Sequence, residues 1–274
     1  MLLLETLGLL AAHILSWVAV CHALLTKRDP RSALGWTVTA LLLPVLGPLL
    51  YVLFGISRAQ SRAEKIMRQR AAREPEYARP ARPAEPSGQV PEHIVRMAHL
   101  GRSLTDQHLC GGNALSPLRN GDEAYPAMLE AIAVARGHVF LATYIFNAGH
   151  TGTAFTEALA AAAARGVDVR VLVDGIGTFY SWRKPWKKLA ARGVKVALFL
   201  SPKFFPPNLS INLRNHRKVL VCDDIGFTGG MNISDDNIQS GRKSCVQDVH
   251  FRCVGPIVNQ LRRAFLLNWG FCTG

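Results

Sequence analysis

The chain has 274 residues, 49% of them hydrophobic, and a formal net charge of +13. That length leaves room for one large domain or two small ones with a substantial core, and the charge calls for an anionic partner, either nucleic acid or an anionic membrane. Six cysteines (Cys21, Cys110, Cys222, Cys245, Cys253 and Cys272) show no Cys-x-x-Cys spacing and no closely spaced histidines, which disfavours zinc and suits reduced, buried thiols.

Taken in order, the chain opens with two uncharged stretches, 6–25 and 33–54, each long enough to cross about 30 Å of hydrocarbon as a helix. A transmembrane hairpin is expected over 1–56, and it favours a membrane over nucleic acid as the anionic partner. Glu5 in place of a basic leader, the lack of a small-residue cleavage site and the second apolar stretch close behind argue against a signal peptide. His13 and His22 lie in the first span and are expected to be neutral and to face the other helix. Pro30 can open the second helix. Pro44, Gly47 and Pro48 are tolerable inside a membrane and allow a kinked or re-entrant second segment. Lys27, Arg28 and Arg31 between the spans are outnumbered by Arg58, Arg62, Lys65, Arg68, Arg70, Arg73, Arg79 and Arg82 after them. The remainder is therefore expected on the cytoplasmic side of a cell inner membrane.

Residues 57–92 turn to Arg, Ala, Glu and Pro and read as a linker, because Pro75, Pro80, Pro83 and Pro86 spoil any long helix. Its early part suits either a basic juxtamembrane helix drawn to anionic headgroups or a solvated spacer. Beyond it strands alternate with helices, which predicts a sheet flanked by helices and parallel at least in its first part. Helices are expected at 123–136 (Ala124, Met128, Ile132 and Val134 buried), 153–165, 182–191 and 255–271, the last amphipathic through Val258, Leu261, Phe265 and Trp269. Strands are expected at 138–146, 167–173, 194–200 and around 247–252.

The stretch 212–234 carries the chemistry: Asn-Leu-Arg-Asn-His-Arg-Lys-Val-Leu-Val-Cys-Asp-Asp-Ile-Gly-Phe-Thr-Gly-Gly-Met-Asn-Ile-Ser. In extended chain His216 and Lys218 fall on one face, one pleat apart. A neutral imidazole can attack phosphorus, an ammonium can hold non-bridging oxygens and a carboxylate can orient an imidazole. Gly229 and Gly230 would let the backbone approach a ligand, with Asn232 just beyond.

His-x-Lys, an Asp after four more residues and then Phe-Thr-Gly-Gly-x-Asn resemble the HKD motif of the phospholipase D superfamily. The flanking Asn-Leu-Arg-Asn-His-Arg-Lys is similar to the first of the two motifs in bacterial cardiolipin synthases. A separate stretch, Arg-Asp-Pro-Arg-Ser-Ala-Leu-Gly-Trp followed by Leu-Leu-Pro-Val-Leu-Gly-Pro-Leu-Leu-Tyr-Val-Leu-Phe-Gly, resembles the membrane hairpin that precedes the catalytic part of those enzymes. Tyr144 to Phe146, Asp174 to Thr178 and the Asp-x-His-Phe-Arg run at Asp248 also resemble family segments. Two departures stand out. The turn after the motif is one residue shorter, so Asp223 or Asp224 could fill the aspartate's place, and Asn147 and Ala148 replace the acidic residues common after the first segment.

The resemblance implies a phospholipase D-like half-domain at 93–274, in an α/β fold with a mixed sheet flanked by helices. It implies a phosphatidyltransferase that converts two phosphatidylglycerols into cardiolipin and glycerol through a phosphatidyl-histidine, with no metal or other cofactor. It makes His216, Lys218 and Asp223 catalytic, and places Asn215, Gly229, Gly230 and Asn232 around the substrate. Superfamily members bring two motifs together, and this sequence holds one. A homodimer with one His216 per chain, or a second half supplying the other motif to a split product, would complete the site. A hydrolase or nuclease working as a homodimer, and an inactive protein that binds lipid or a partner, are the alternatives. His150, and a pairing of Asp248 with His250, are expected to be structural.

Overall fold

The structure, a computed structural model, describes residues 2–27, 29–56, 90–105, 109–181, 183–201, 214–241 and 245–273. It divides into two compact units. The linker expected over 57–92 falls almost wholly outside the described residues.

In the N-terminal unit, helix α1 (Leu2–Thr26) turns into α2 (Pro30–Leu42). The turn is set by local chemistry: Asp29 accepts from the amides of Arg31 and Ser32, and Pro30 takes the first helical position. Within α1, Glu5–Thr26 is long and apolar enough to cross a membrane. Leu10, Ile14, Trp17 and Leu24 lie exposed on its outer side, a face that water penalises and hydrocarbon does not. The second apolar stretch is not the single helix expected. It breaks at Leu43–Val45 and resumes as a short helix α3 (Leu46–Leu50) and a π turn over Tyr51–Gly55. Pro44 has no N–H to give a helix, and Gly47 comes so close to the Thr39 carbonyl that a Cβ would stand 2.3 Å from it. Ser16 binds the Pro44 carbonyl from α1 at 3.0 Å. His22 faces the other segment as expected, with its Nδ1 2.7 Å from the Tyr51 hydroxyl. His13 instead lies exposed and bonds Leu9 of its own helix.

The larger unit is built on a seven-stranded sheet: β1 (Ala114–Arg119), β2 (His138–Thr143), β3 (Asp168–Asp174), β4 (Lys195–Phe199), β5 (Val219–Cys222), β6 (Ile225–Gly229) and β7 (Val249–Val254), in the order β1-β7-β6-β5-β2-β3-β4. The β2, β3 and β4 strands are parallel and every other pairing is antiparallel. Helices cover both faces, so the central strands are continuous apolar runs and not alternating ones. In β2, Val139 and Leu141 face α5 (Asn120–Val134), α6 (His150–Ala164) and α7 (Pro185–Ala191), among Ile132, Phe155, Leu159 and Leu189. Phe140 and Ala142 face α8 (Ile257–Thr273), where Phe140 stacks on Phe265 at 5.0 Å. Fully burying Phe265 contributes roughly 3 kcal/mol. Helix bounds shift from expectation by up to three residues, and one burial expectation fails. Val134 is exposed and Ala135 is buried in its place, because a helix returns to the face of Ile132 three residues on. Helix α4 (Glu92–Thr105) was not foreseen.

Candidate active site

The strand order brings scattered sequence to one end of the sheet. The parallel β2 and β3 finish there, the antiparallel β5 starts there, β6 finishes there and β7 starts there. Tyr144, Asp174, the segment 214–218, Gly229–Gly230 and Asp248–His250 therefore converge, as open α/β sheets gather ligands at strand carboxyl ends.

Asp174 positions the reactive segment. Its carboxylate is 1% exposed, accepts from the amides of Ile176, Gly177 and Asn215, and lies 3.6 Å from the Arg214 guanidinium. The chain so held delivers His216 to the surface and Lys218, 5% exposed, to the interior. Lys218 Nζ lies 3.0 and 3.3 Å from the two ring nitrogens of His216. The Tyr144 ring flanks the imidazole at 4.8 Å between centroids and lies 5.6 Å from Lys218 Nζ.

The electrostatics favour a neutral imidazole. Burial first, and the Lys218 ammonium second, lower the pKa of His216, while Asp174 works in the opposite direction. Burial also lowers Lys218, against the pull of Asp248. Deeper still, burial pushes the His250 imidazole down to about 4. His250 is 1% exposed and its Nδ1 has no partner among the described residues, while the Asp248 charge works to raise its pKa.

His216 and Lys218 thus meet as the sequence led us to expect. Asp223 does not join them. It follows β5 at the far end of the sheet, five residues and roughly 16 Å of extended chain beyond Lys218. There it adopts a left-handed φ of 50° and accepts from the amides of Arg136, Gly137 and His138. Burial tends to raise its pKa, and those amides outweigh it and hold the carboxyl below the ordinary range. The imidazole it touches is that of His138, at 3.5 Å. Its work is to tie the β5–β6 turn to the start of β2, while Asp224 is exposed.

The expected substrate-binding residues also have other partners. Asn215 is buried, and its side-chain oxygen accepts from Arg217 N at 3.4 Å. Asn232 Oδ1 accepts from Ile145 N at 3.1 Å. A Cβ on Gly229 would stand 2.5 Å from the Val249 carbonyl and 2.7 Å from His250 Nδ1; on Gly230 it would meet the Asp248 carboxylate at 2.3 Å. These glycines make room for β7. His150 donates only its backbone amide, to Asp235 at the start of α6. The family resemblance put the segments that begin at Tyr144 and Asp174 near the substrate, and the structure adds that both act on His216, the first by ring contact and the second by charge. Their signal was position, since each ends an apolar strand that the parallel order aims at one rim.

Residues 128–269 match the family described as cardiolipin synthase, phospholipase D-like domain, and residues 14–55 match the phospholipase D-nuclease N-terminal family. The chain belongs to the cardiolipin synthase-type phospholipase D-like family. Among particular relatives, it is 32% identical over 248 residues to cardiolipin synthase 1 of Bacillus anthracis, covering 89% of this chain and 48% of that protein. It is 27% identical over 251 residues to the major cardiolipin synthase ClsA of Bacillus subtilis (strain 168), covering 89% of this chain and 52% of that protein. The chain thus spans about half the length of the curated relatives it matches. A solved phospholipase D family member, Nuc from Salmonella typhimurium, aligns over 59% of this chain and 97% of that one, at 20% identity and a TM-score of 0.45.

Proposed function

We propose that this chain is the catalytic half of a membrane-bound phosphatidyltransferase that makes cardiolipin and glycerol from two phosphatidylglycerols. The observation that carries the reading is the pairing of an exposed imidazole, lowered in pKa, with a buried ammonium 3.0 Å away, in a chain of this family. A ring nitrogen of His216 attacks phosphorus as the bond to glycerol oxygen breaks, and the departing alkoxide takes a proton from a second acid. A hydroxyl of the second phosphatidylglycerol then gives a proton back to that group and attacks phosphorus, and the phosphorus–nitrogen bond breaks. Lys218 stabilises the phosphoryl oxygens throughout.

The second acid is the histidine of another His-Lys pair, from a second copy of this chain or a separate half. The helix Glu5–Thr26 and the broken apolar segment after it hold the catalytic unit at the lipid surface, on the side to which the basic residues assign it. The test is cardiolipin formation by the purified chain in phosphatidylglycerol vesicles, alongside His216→Ala. Product that vanishes in the variant supports the reading. Release of choline from phosphatidylcholine, or DNA cleavage, without any cardiolipin would overturn it in favour of a hydrolase. Inactivity of the wild type even with a second His-Lys half added would leave only a binding protein.

A further inference from the structure

At the rim that carries His216, the turn after β3 holds two aromatic rings out in solvent: Phe179 is 74% exposed and Tyr180 63%. They end a short 3₁₀ turn, Gly177–Tyr180, whose start is fixed by Asp174 through the amides of Ile176 and Gly177. The same carboxylate holds the segment before His216. The Tyr180 ring lies 6.3 Å from that of Tyr144, which flanks His216 at 4.8 Å. Two large rings side by side in water, on a braced turn beside the reacting groups, mark a contact surface where single exposed side chains would not.

Charge says what that surface meets. From Gly175 to Lys188 the chain has four basic residues, Arg183, Lys184, Lys187 and Lys188, and no acidic one. Burial of Trp186 and Leu189 of α7 against the core turns Lys184, Lys187 and Lys188 outward, and all four cations are exposed. Among the described residues none of them pairs with a carboxylate. Asp235 and Asp236, which border the same open cleft as Tyr180 and Arg183, are already engaged, the first by the amides of His150 and Thr151 and the second by Ser234. Aromatic rings that settle between hydrocarbon and water, next to cations, match an anionic bilayer. Single-stranded nucleic acid offers the same charge and bases to stack on, but the apolar helix Glu5–Thr26 favours the bilayer. A second copy of this chain, docked through the same surface, would set these cations against their own kind.

We propose that this segment is a membrane-docking tip of the catalytic unit. Phe179 and Tyr180 enter the headgroup region of an anionic bilayer, while Arg183, Lys184, Lys187 and Lys188 bind its phosphates. The rim with His216 is thereby turned to the lipid surface. The docking goes beyond the transferase reading and does not depend on it, because a bilayer suffices and no chemistry is involved.

The experiment places the photocrosslinker p-benzoylphenylalanine at Phe179 in the full chain, reconstituted in lipid nanodiscs, and reads labelled lipid by mass spectrometry. The control carries it at Leu115, 60% exposed at the end of the sheet away from the rim. The probe at 179 is expected to label lipid about fivefold more than the control, and more in discs containing phosphatidylglycerol than in phosphatidylcholine alone. Combined Lys184→Glu, Lys187→Glu and Lys188→Glu should cut that labelling about tenfold at an unchanged melting temperature. Salt raised to about 1 M, where exposed charges are screened, should do the same without any substitution. Labelling no stronger than at the control site, labelling unmoved by both charge reversal and salt, or capture of a second chain or of an added single-stranded oligonucleotide in place of lipid would overturn the proposal. His216→Ala should label as the unchanged chain does. Lipid labelled at 179 by a chain that makes no lipid product would sink the transferase reading and leave the docking tip standing. Cardiolipin made by a chain whose 179 probe labels no lipid would do the reverse.

Discussion

The buried carboxylate of Asp174 accepts the backbone N–H of Asn215 at 2.9 Å, which clamps the end of β3 onto the residue before His216. Removing one partner of a buried, hydrogen-bonded charge is expensive. Asp174→Ala should cost about 3 kcal/mol of stability, and Asp174→Asn, which keeps an acceptor, less. Both remove a charge that works to raise the His216 pKa, so the His216 midpoint should fall further. Thermal melts and an imidazole titration by NMR check the two effects separately.

Lys218 acts on His216 in the other direction. Lys218→Met takes away the ammonium that helps lower its pKa, and the midpoint should move up towards 6.5. In the mechanism proposed above the same ammonium stabilises the phosphoryl oxygens, so capture of phosphatidyl-His216 should fall by about 100-fold. A covalent intermediate formed at the wild-type rate would remove Lys218 from the chemistry.

Asp223 stabilises a turn and does not orient His216. Three backbone amides lose their acceptor in Asp223→Ala, and because the carboxylate is a third exposed the loss should be about 2 kcal/mol after allowance for solvent. Urea unfolding measures it. The His216 titration should stay where it is, and a shift there would restore the catalytic role.

The two glycines of the motif should answer differently to alanine. At Gly229 the new Cβ meets the Val249 carbonyl at 2.5 Å, backbone that cannot move without disturbing the β6–β7 ladder, so stability should drop by about 2 kcal/mol. At Gly230 it meets the end of the Asp248 side chain, which can turn away. Stability should change little there, and the Lys218 pKa should fall further because Asp248 is the charge working to raise it. Calorimetry and a lysine titration distinguish them.

Stability should fall on acidification in two stages. His250, His138 and His216 all have folded pKa values below the ordinary 6.5, so the unfolded chain takes up protons first. Their contribution is complete above pH 6.5 and disappears as pH falls; for His250, at about 4, it amounts to about 3 kcal/mol. Asp122, held down to about 2 mainly by Ser240 and Gln239, and Asp223 with its lowered pKa lose theirs only below pH 3.8. Urea midpoints from pH 7 to 3 in wild type and His250→Gln test this, the variant being expected to lose most of the upper stage.

Much of this was legible in the chain. Apolar runs at 138–146 and 167–173 with an alanine-rich helix between them predict parallel strands, and His-x-Lys entering another such run suggests a phosphate-handling pair. What stayed hidden depends on strand order. Nothing local in Asp223 says that β5 runs antiparallel to β2 and so carries its turn away from His216 to meet Arg136. Nothing local in Gly229 says that the nearby mass is His250 and not a ligand. The break at Leu43–Val45 was partly visible, because Pro44 and Pro48 are explicit, yet apolarity alone could not separate one helix from three pieces. Helix α4 went unread although its signal is in the chain: Ile94, Met97, Leu100 and Leu104 repeat at helical spacing, and in the structure all four are exposed.

The order of the sheet also sets a timetable for synthesis. β2, β3 and β4 pair with near neighbours in sequence and can form as they leave the ribosome. β1 pairs only with β7, through contacts such as Ala114↔Val254, so its partner emerges some 130 residues later. At 5–20 residues per second that is a wait on the order of 10 s. Through that interval β1 is a naked edge, and Pro117 at its centre withholds one N–H from any stray strand. The arrival of β7 closes this sheet and brings Asp248 and His250 to the rim, so a nascent chain holds no finished rim until β7 has emerged.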